Sequence, residues 1–155
     1  MEADDLYRDL ILDHFRNPRN HGAVPDPDIR MEGVNPLCGD QIQLTVKVEG
    51  DQVRDIRVSG KGCSISQSSA SMMTEALKGH TLARARELVK DFKRMMLERA
   101  TGDDLPEELS DLAAFEGVKK YPVRIKCALL SWNTVLEGLD DFPQKRTPVV
   151  KWHQE

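Results

Sequence analysis

No apolar run in this sequence approaches the ~20 residues that a membrane-crossing helix requires. The first ten residues, MEADDLYRDL, are acidic and amphipathic, so they lack the basic and apolar regions of a signal peptide and the acid-poor character of a transit peptide. Positive charge is not in excess either. Lys and Arg number 22 against 26 Asp and Glu, a formal net charge of -4, which argues against a general nucleic-acid binder and against a polybasic membrane module. Internal repeats and low-complexity tracts are missing. Cysteine is rare, three residues in all, and an odd number cannot pair completely within one chain. Without an export route these thiols are expected to stay reduced in the cytoplasm, so metal binding or thiolate chemistry outranks a disulfide framework.

What is present suits one domain. A chain of 155 residues with 39% hydrophobic content can bury a single core, and residues 1–155 are read as one unit. Leu6, Tyr7, Leu10, Ile11, His14 and Phe15 recur at helical spacing and predict a first helix that stops at Asn17-Pro18. A loop rich in Pro, Gly and Asn follows. Three strands come next: 29–34, then 41–48 with Ile42, Leu44, Val46 and Val48 on one face, then 53–60 after the EGDQ turn. Their spacing predicts an antiparallel meander with one wet face. Beyond Ser64 the period becomes helical, with one helix ended by Gly79, a second capped by Thr81, and a last long one starting near Pro122 or Val123 and running to Gly138. Residues 101–120 differ in texture, acidic and turn-rich, with a short helix expected at 106–116, and read as a segment inserted at the domain edge. The tail, with two prolines, is expected to run extended. The fold class is therefore α+β, a three-stranded antiparallel meander packed against several helices.

Each cysteine falls at an end of an element on this map. Cys38 lies in the loop before the second strand, Cys63 in the turn from the third strand to a helix, and Cys127 near the start of the last helix. A thiolate near a helix N-terminus is stabilised by the dipole, a geometry expected for both Cys63 and Cys127, with Lys61, Arg124 and Lys126 nearby. Three thiolates and the carboxylate of Asp40 make a four-ligand set suited to Zn2+, with Zn–S near ~2.3 Å. Such a site would carry about -2 charge, which gives neighbouring cations a purpose. A hard oxygen on a borderline-soft ion also makes ligand exchange easier than at an all-thiolate site. Other chemistries fit less well. The serines at 66, 68, 69 and 71 read as small residues for close helix packing. A Cys63 nucleophile needs an imidazole base, yet none of His14, His21, His80 and His153 lies beside a cysteine. SGKGCS fails as a phosphate loop, because Asp55 stands where its first glycine should be and Gly62 where Ser or Thr should follow the lysine.

The stretches NPLCGDQIQLTVKV, GKGCSISQSSASMM and RIKCALLSW, in this order, resemble the iron-sulfur cluster assembly scaffold family of the IscU/NifU N-terminal type, over nearly the whole chain. Lys126 stands where the scaffold proper usually has a histidine before the third cysteine, and YPVRI replaces an LPPVK-like chaperone-recognition stretch. With the extra segment at 101–120, this is similar to the SufU branch. The resemblance implies that Cys38, Asp40, Cys63 and Cys127 bind Zn2+. It implies further that Cys38, displaced from the metal by a competing ligand, accepts persulfide sulfur from a cysteine desulfurase of the SufS type, for passage to downstream iron-sulfur assembly proteins. Two alternatives stay open: a scaffold on which a [2Fe-2S] cluster is built, and a purely structural zinc module.

Overall fold

The computed structural model describes residues 3–142 and 150–152. Helix α1 (Ala3–Arg16) leads through a loop into strands β1 (Ile29–Asn35), β2 (Asp40–Glu49) and β3 (Gln52–Lys61). Helices α2 (Ser64–Leu77) and α3 (Leu82–Leu97) follow. Two 3-10 segments, Gly102–Asp104 and Glu107–Lys120, then lead to α4 (Pro122–Asp141) and a short strand β4 (Val150–Trp152). β1, β2 and β3 form the expected antiparallel meander. β4 adds in parallel beside Glu32–Val34 of β1, so the sheet has the order β3-β2-β1-β4. That fourth strand is where the tail was expected only to run extended; 143–149 and 153–155 lie outside the described residues. At the opposite edge, Val58 of β3 exchanges backbone hydrogen bonds with Asn20 and Gly22, each at 3.1 Å. The β3 edge thus has partners for part of its open backbone groups, which blunts edge-to-edge association there.

Alternation along β2 sends Ile42, Leu44 and Val46 into the helical layer, where each is fully buried. α4 lies across β1 and does not stop at Gly138 as the sequence suggested. Glycine there serves close approach: a Cβ would meet Ile29 Cγ2 at 2.7 Å and Met31 Cγ at 3.0 Å. Thr81 caps α3 as expected, its side chain accepting the Arg84 N–H at 3.0 Å. The short helix expected at 106–116 is instead a longer 3-10 segment, 107–120. Its larger buried apolar residues Leu109, Leu112, Phe115 and Val118 recur every third position, the period of a 3-10 helix, so that winding keeps these four on one face.

The two helices that bear cysteines are tied together at the core. Trp132 of α4 stacks on Phe92 of α3 with ring centroids 4.3 Å apart, and its Nε1 donates to Ser69 Oγ of α2 at 2.9 Å. Ser69 Oγ in turn donates to the carbonyl of Ala128 at 2.7 Å. Ser71 accepts the Arg19 N–H at 2.9 Å and is hydrogen-bonded to His14 Nδ1 at 2.7 Å, which fastens α1 to α2. Ser66, Ser68, Ser69 and Ser71 of α2 are buried packing and bridging groups, in line with the sequence reading. No helix among the described residues is long and apolar enough to cross a membrane.

Candidate metal centre

β1 and β2 are joined by a four-residue loop closed by the pair Asn35 and Asp40. Within it the Cys38 N–H donates to the Asn35 carbonyl at 3.3 Å, and Gly39 takes a φ of 69°, a left-handed conformation that glycine adopts without cost. This is a tight turn followed by a left-handed residue, a recurrent hairpin connection. It explains why a thiol and a carboxylate flank a glycine: the turn lifts Cys38 to the half-exposed rim and drops Asp40 into the strand, where it is fully buried.

Asp40 meets the other end of the meander. Its Oδ1 accepts the Cys63 N–H at 2.9 Å, and its Oδ2 lies 4.0 Å from Cys63 Sγ. Gly62 leaves room for this contact, since a Cβ there would sit 3.0 Å from the Asp40 Cγ. Cys63 is the N-cap of α2, and its sulfur accepts the Ser66 N–H at 3.4 Å. Cys127 arrives from α4 with its Sγ 2.8 Å from Cys38 Sγ. One ligand atom each from Cys38, Asp40 and Cys127 lies within 4.8 Å of the other two. Cys63 flanks this trio through its contact with Asp40.

Thus the structure brings together all four residues singled out from sequence, three as one compact group and the fourth beside it. Donors on a shared tetrahedral ion at about 2.0–2.3 Å stand within about 4 Å of each other, close to the 4.8 Å spread of the trio and to the 4.0 Å between Cys63 Sγ and Asp40 Oδ2. The donor chemistry agrees: three sulfurs and a carboxylate suit a borderline-soft divalent ion. A fully buried carboxylate with one oxygen on a backbone N–H and the other turned towards thiols is costly unless a cation compensates it. The residues present fit a metal.

Protonation is divided unevenly among the sulfurs. The Cys63 thiol is pushed down to about 6, chiefly by its hydrogen bond with Cys127 and further by the N–H of Ser66, against opposition from burial and the Asp40 charge. Cys127 is pushed far up, first because it donates to Cys63 and then by burial and by Cys38. Cys63 therefore loses its proton more readily than Cys127. This corrects the expectation that both would be favoured by a helix dipole: α4 begins at Pro122, so Cys127 lies beyond its first turn and is buried. The guanidinium of Arg124 is held more firmly protonated by the Cys63 thiolate and by Cys127, and it forms a hydrogen bond with Cys63. Of the three bases noted in the sequence, Arg124 is the one with this link to the thiols.

Sequence reasoning missed Asn35. It is buried at the end of β1, accepts the Leu37 N–H on Oδ1 at 3.3 Å, and donates from Nδ2 to Cys127 Sγ at 3.9 Å. An asparagine before a proline at a strand end signals a turn; nothing in the linear pattern signals a partner 92 residues away. Leu37, in the Cys38 turn, is 60% exposed, and Tyr121 and Val123, at the start of α4, are 60% and 52% exposed.

Comparison with known proteins follows the same lines. The NifU-like N-terminal domain family matches residues 6–128. Over 136 residues the chain is 47% identical to the zinc-dependent sulfurtransferase SufU of Bacillus subtilis, covering 88% of this chain and 90% of that one. It is 38% identical over 140 residues to the iron-sulfur cluster assembly scaffold protein IscU of Streptococcus pyogenes, with coverage of 89% and 85%. Among solved structures, the N-terminal part of a nitrogen-fixing NifU-like protein from Brucella abortus superposes with a TM-score of 0.81 at 27% identity, over 92% of this chain and 98% of the other.

Proposed function

Because this chain belongs to the NifU-like N-terminal domain family, we propose that it is an iron-sulfur cluster assembly protein that binds zinc and accepts persulfide sulfur from a cysteine desulfurase of the SufS type. The single observation that carries this reading is the placing of Cys38: on a half-exposed turn, yet with its sulfur in the same group as Asp40 and Cys127. A sulfur at the rim is within reach of a second protein, which transfer requires and a purely structural site does not. The zinc-dependent name of the Bacillus subtilis relative supports the choice of metal.

Cys38, Asp40, Cys63 and Cys127 would hold the ion. When bound, the ion would favour the deprotonated thiols, and Cys38 would be free to react only once displaced from it. The chemistry at Cys38 is thiolate exchange. Its sulfur attacks the outer sulfur of the desulfurase persulfide, a new S–S bond forms at Cys38, and the old one breaks with its electron pair returning to the desulfurase cysteine as thiolate. No external oxidant or reductant is consumed. Leu37, next to the acceptor, offers an exposed apolar side chain to the incoming enzyme. Such persulfide chemistry belongs in a reducing compartment, and we place it in the cytoplasm. The 155 residues act as one unit, with residues 101–120 as an insertion at its edge.

Scaffolding of a [2Fe-2S] cluster on the same thiols is the second reading, favoured by the scaffold name of the Streptococcus pyogenes relative. Metal content and desulfurase stimulation, measured on the wild type and on Cys38→Ala, test both. The acceptor reading expects a colourless zinc protein whose stimulation is abolished in the variant. A protein purified without oxygen that carries and hands on an intact cluster would favour the scaffold, and a fully active variant would overturn the role of Cys38.

A further inference from the structure

The three thiols of the centre differ in one respect that their spacing in the sequence does not show. Cys63 Sγ accepts the Ser66 N–H at 3.4 Å, and Cys127 Sγ accepts Asn35 Nδ2 at 3.9 Å, a long reach that suits sulfur. For Cys38 Sγ, 2.8 Å from Cys127 Sγ, no N–H donor stands among the described residues. Donation from an N–H withdraws electron density from a sulfur, which makes it a weaker nucleophile, and fixes its orientation, which holds it in place as a ligand. The difference therefore separates two sulfurs that stay from one that can leave.

Asn35 is placed to produce that difference. It is 1% exposed, and its amide orientation is settled by its neighbours. The Leu37 N–H can only donate, so it fixes Oδ1 on its own side and leaves the NH2 group for the sulfur. The Asn35 carbonyl also takes the Cys38 N–H, so one residue grips the backbone of the acceptor turn at two points and the side chain of Cys127 at a third. Turn formation alone accounts for the oxygen but not for the buried NH2 group directed at a thiol 92 positions away.

We propose that Asn35 is a positioning residue that anchors Cys127 in the metal centre and thereby leaves Cys38 as the sulfur that departs and accepts. This rests on the acceptor reading above and deepens it. It assigns the choice among three chemically identical ligands to one neutral side chain that touches neither the metal nor the incoming enzyme.

The test uses Asn35→Ser and Asn35→Ala in the full chain. Serine can still accept the Leu37 N–H in a hydroxyl turn but is too short to reach Cys127, so the fold survives while the sulfur loses its donor. With Co2+ loaded in place of zinc, the sulfur-to-cobalt charge-transfer band is expected to move to lower energy in both variants, a shift that general destabilisation would not cause. Zinc affinity against a competing chelator is expected to fall about 10-fold or more, as for loss of other hydrogen bonds to ligands. In sulfur transfer, kcat should fall while KM for the desulfurase holds, because Asn35 is buried. An unchanged band and unchanged zinc affinity in folded, loaded Asn35→Ser would overturn the proposal. A wild-type protein that takes no sulfur would instead overturn the acceptor reading and the selecting role with it, while the band shift would still register the Asn35–Cys127 bond.

Discussion

Replacing Asp40 by asparagine should move the stability of the metal-free and metal-loaded proteins differently. The substitution keeps the shape and the Oδ1 acceptor that holds the Cys63 N–H at 2.9 Å, so the cap of α2 stays intact. It removes a fully buried negative charge that faces the Cys63 sulfur at 4.0 Å and opposes its ionisation. In the metal-free protein, relief of that like-charge contact leaves the unfolding midpoint unchanged or raises it. In the loaded protein a carboxylate ligand becomes a neutral amide oxygen. A loss of at least about tenfold in affinity follows, worth about 1.4 kcal/mol at a fixed free-zinc concentration above the dissociation constants. For a chain of this length that corresponds to a fall of about 3–6 °C in Tm. Thermal unfolding at buffered free zinc and with chelator, for wild type and Asp40→Asn, reads both values. Equal shifts in the two states would mean that Asp40 is a structural group only, and would refute the reasoning.

Other consequences are equally direct. Ser69→Ala leaves the buried indole N–H of Trp132 without its 2.9 Å acceptor and unties α2 from α4, so it should cost about 1–3 kcal/mol and loosen zinc retention. A variant within about 0.5 kcal/mol of wild type in urea unfolding would show that the bridge contributes nothing. His14 is held below its ordinary value, first by burial and then by the Arg19 charge, against the pull of Glu75, Asp13 and Asp111. The unfolded chain therefore takes up a proton at His14 before the folded one does. The stability it contributes is complete above about pH 6.5 and is lost as pH falls below that value towards its folded pKa, at up to about 1.4 kcal/mol per pH unit. Metal-free His14→Asn should show a flatter profile over that interval; profiles that run parallel to wild type would contradict this.

Legibility in the sequence followed the range of the forces involved. Strict alternation of Ile42, Leu44 and Val46, the threonine cap at Thr81 and the proline at the start of α4 are local signals, and each element formed where they stood. The four ligand candidates were legible as well, because cysteines at three element ends point to one pole of a small domain. Contacts remote in sequence were not. Gly138 looks like a helix stop until β1 is seen against it, and β4 is a three-residue strand whose backbone pairing with β1 leaves no pattern to read. The spacing of Leu109, Leu112, Phe115 and Val118 was in plain view, but a period of three is easily taken for an α-helical fragment. The raised pKa of Cys127 and the contact of Asn35 with it depend on which groups meet across the core.

One single-turnover measurement bears most directly on the whole account. Persulfide-loaded desulfurase is mixed with the zinc-bound protein, the thiols are trapped, and the peptides bearing Cys38, Cys63 and Cys127 are weighed. One added sulfur atom on Cys38, with the other two peptides unmodified, is the predicted result. Sulfur on Cys63 or Cys127 while Cys38 stays bare, or no sulfur on any of them, would contradict it.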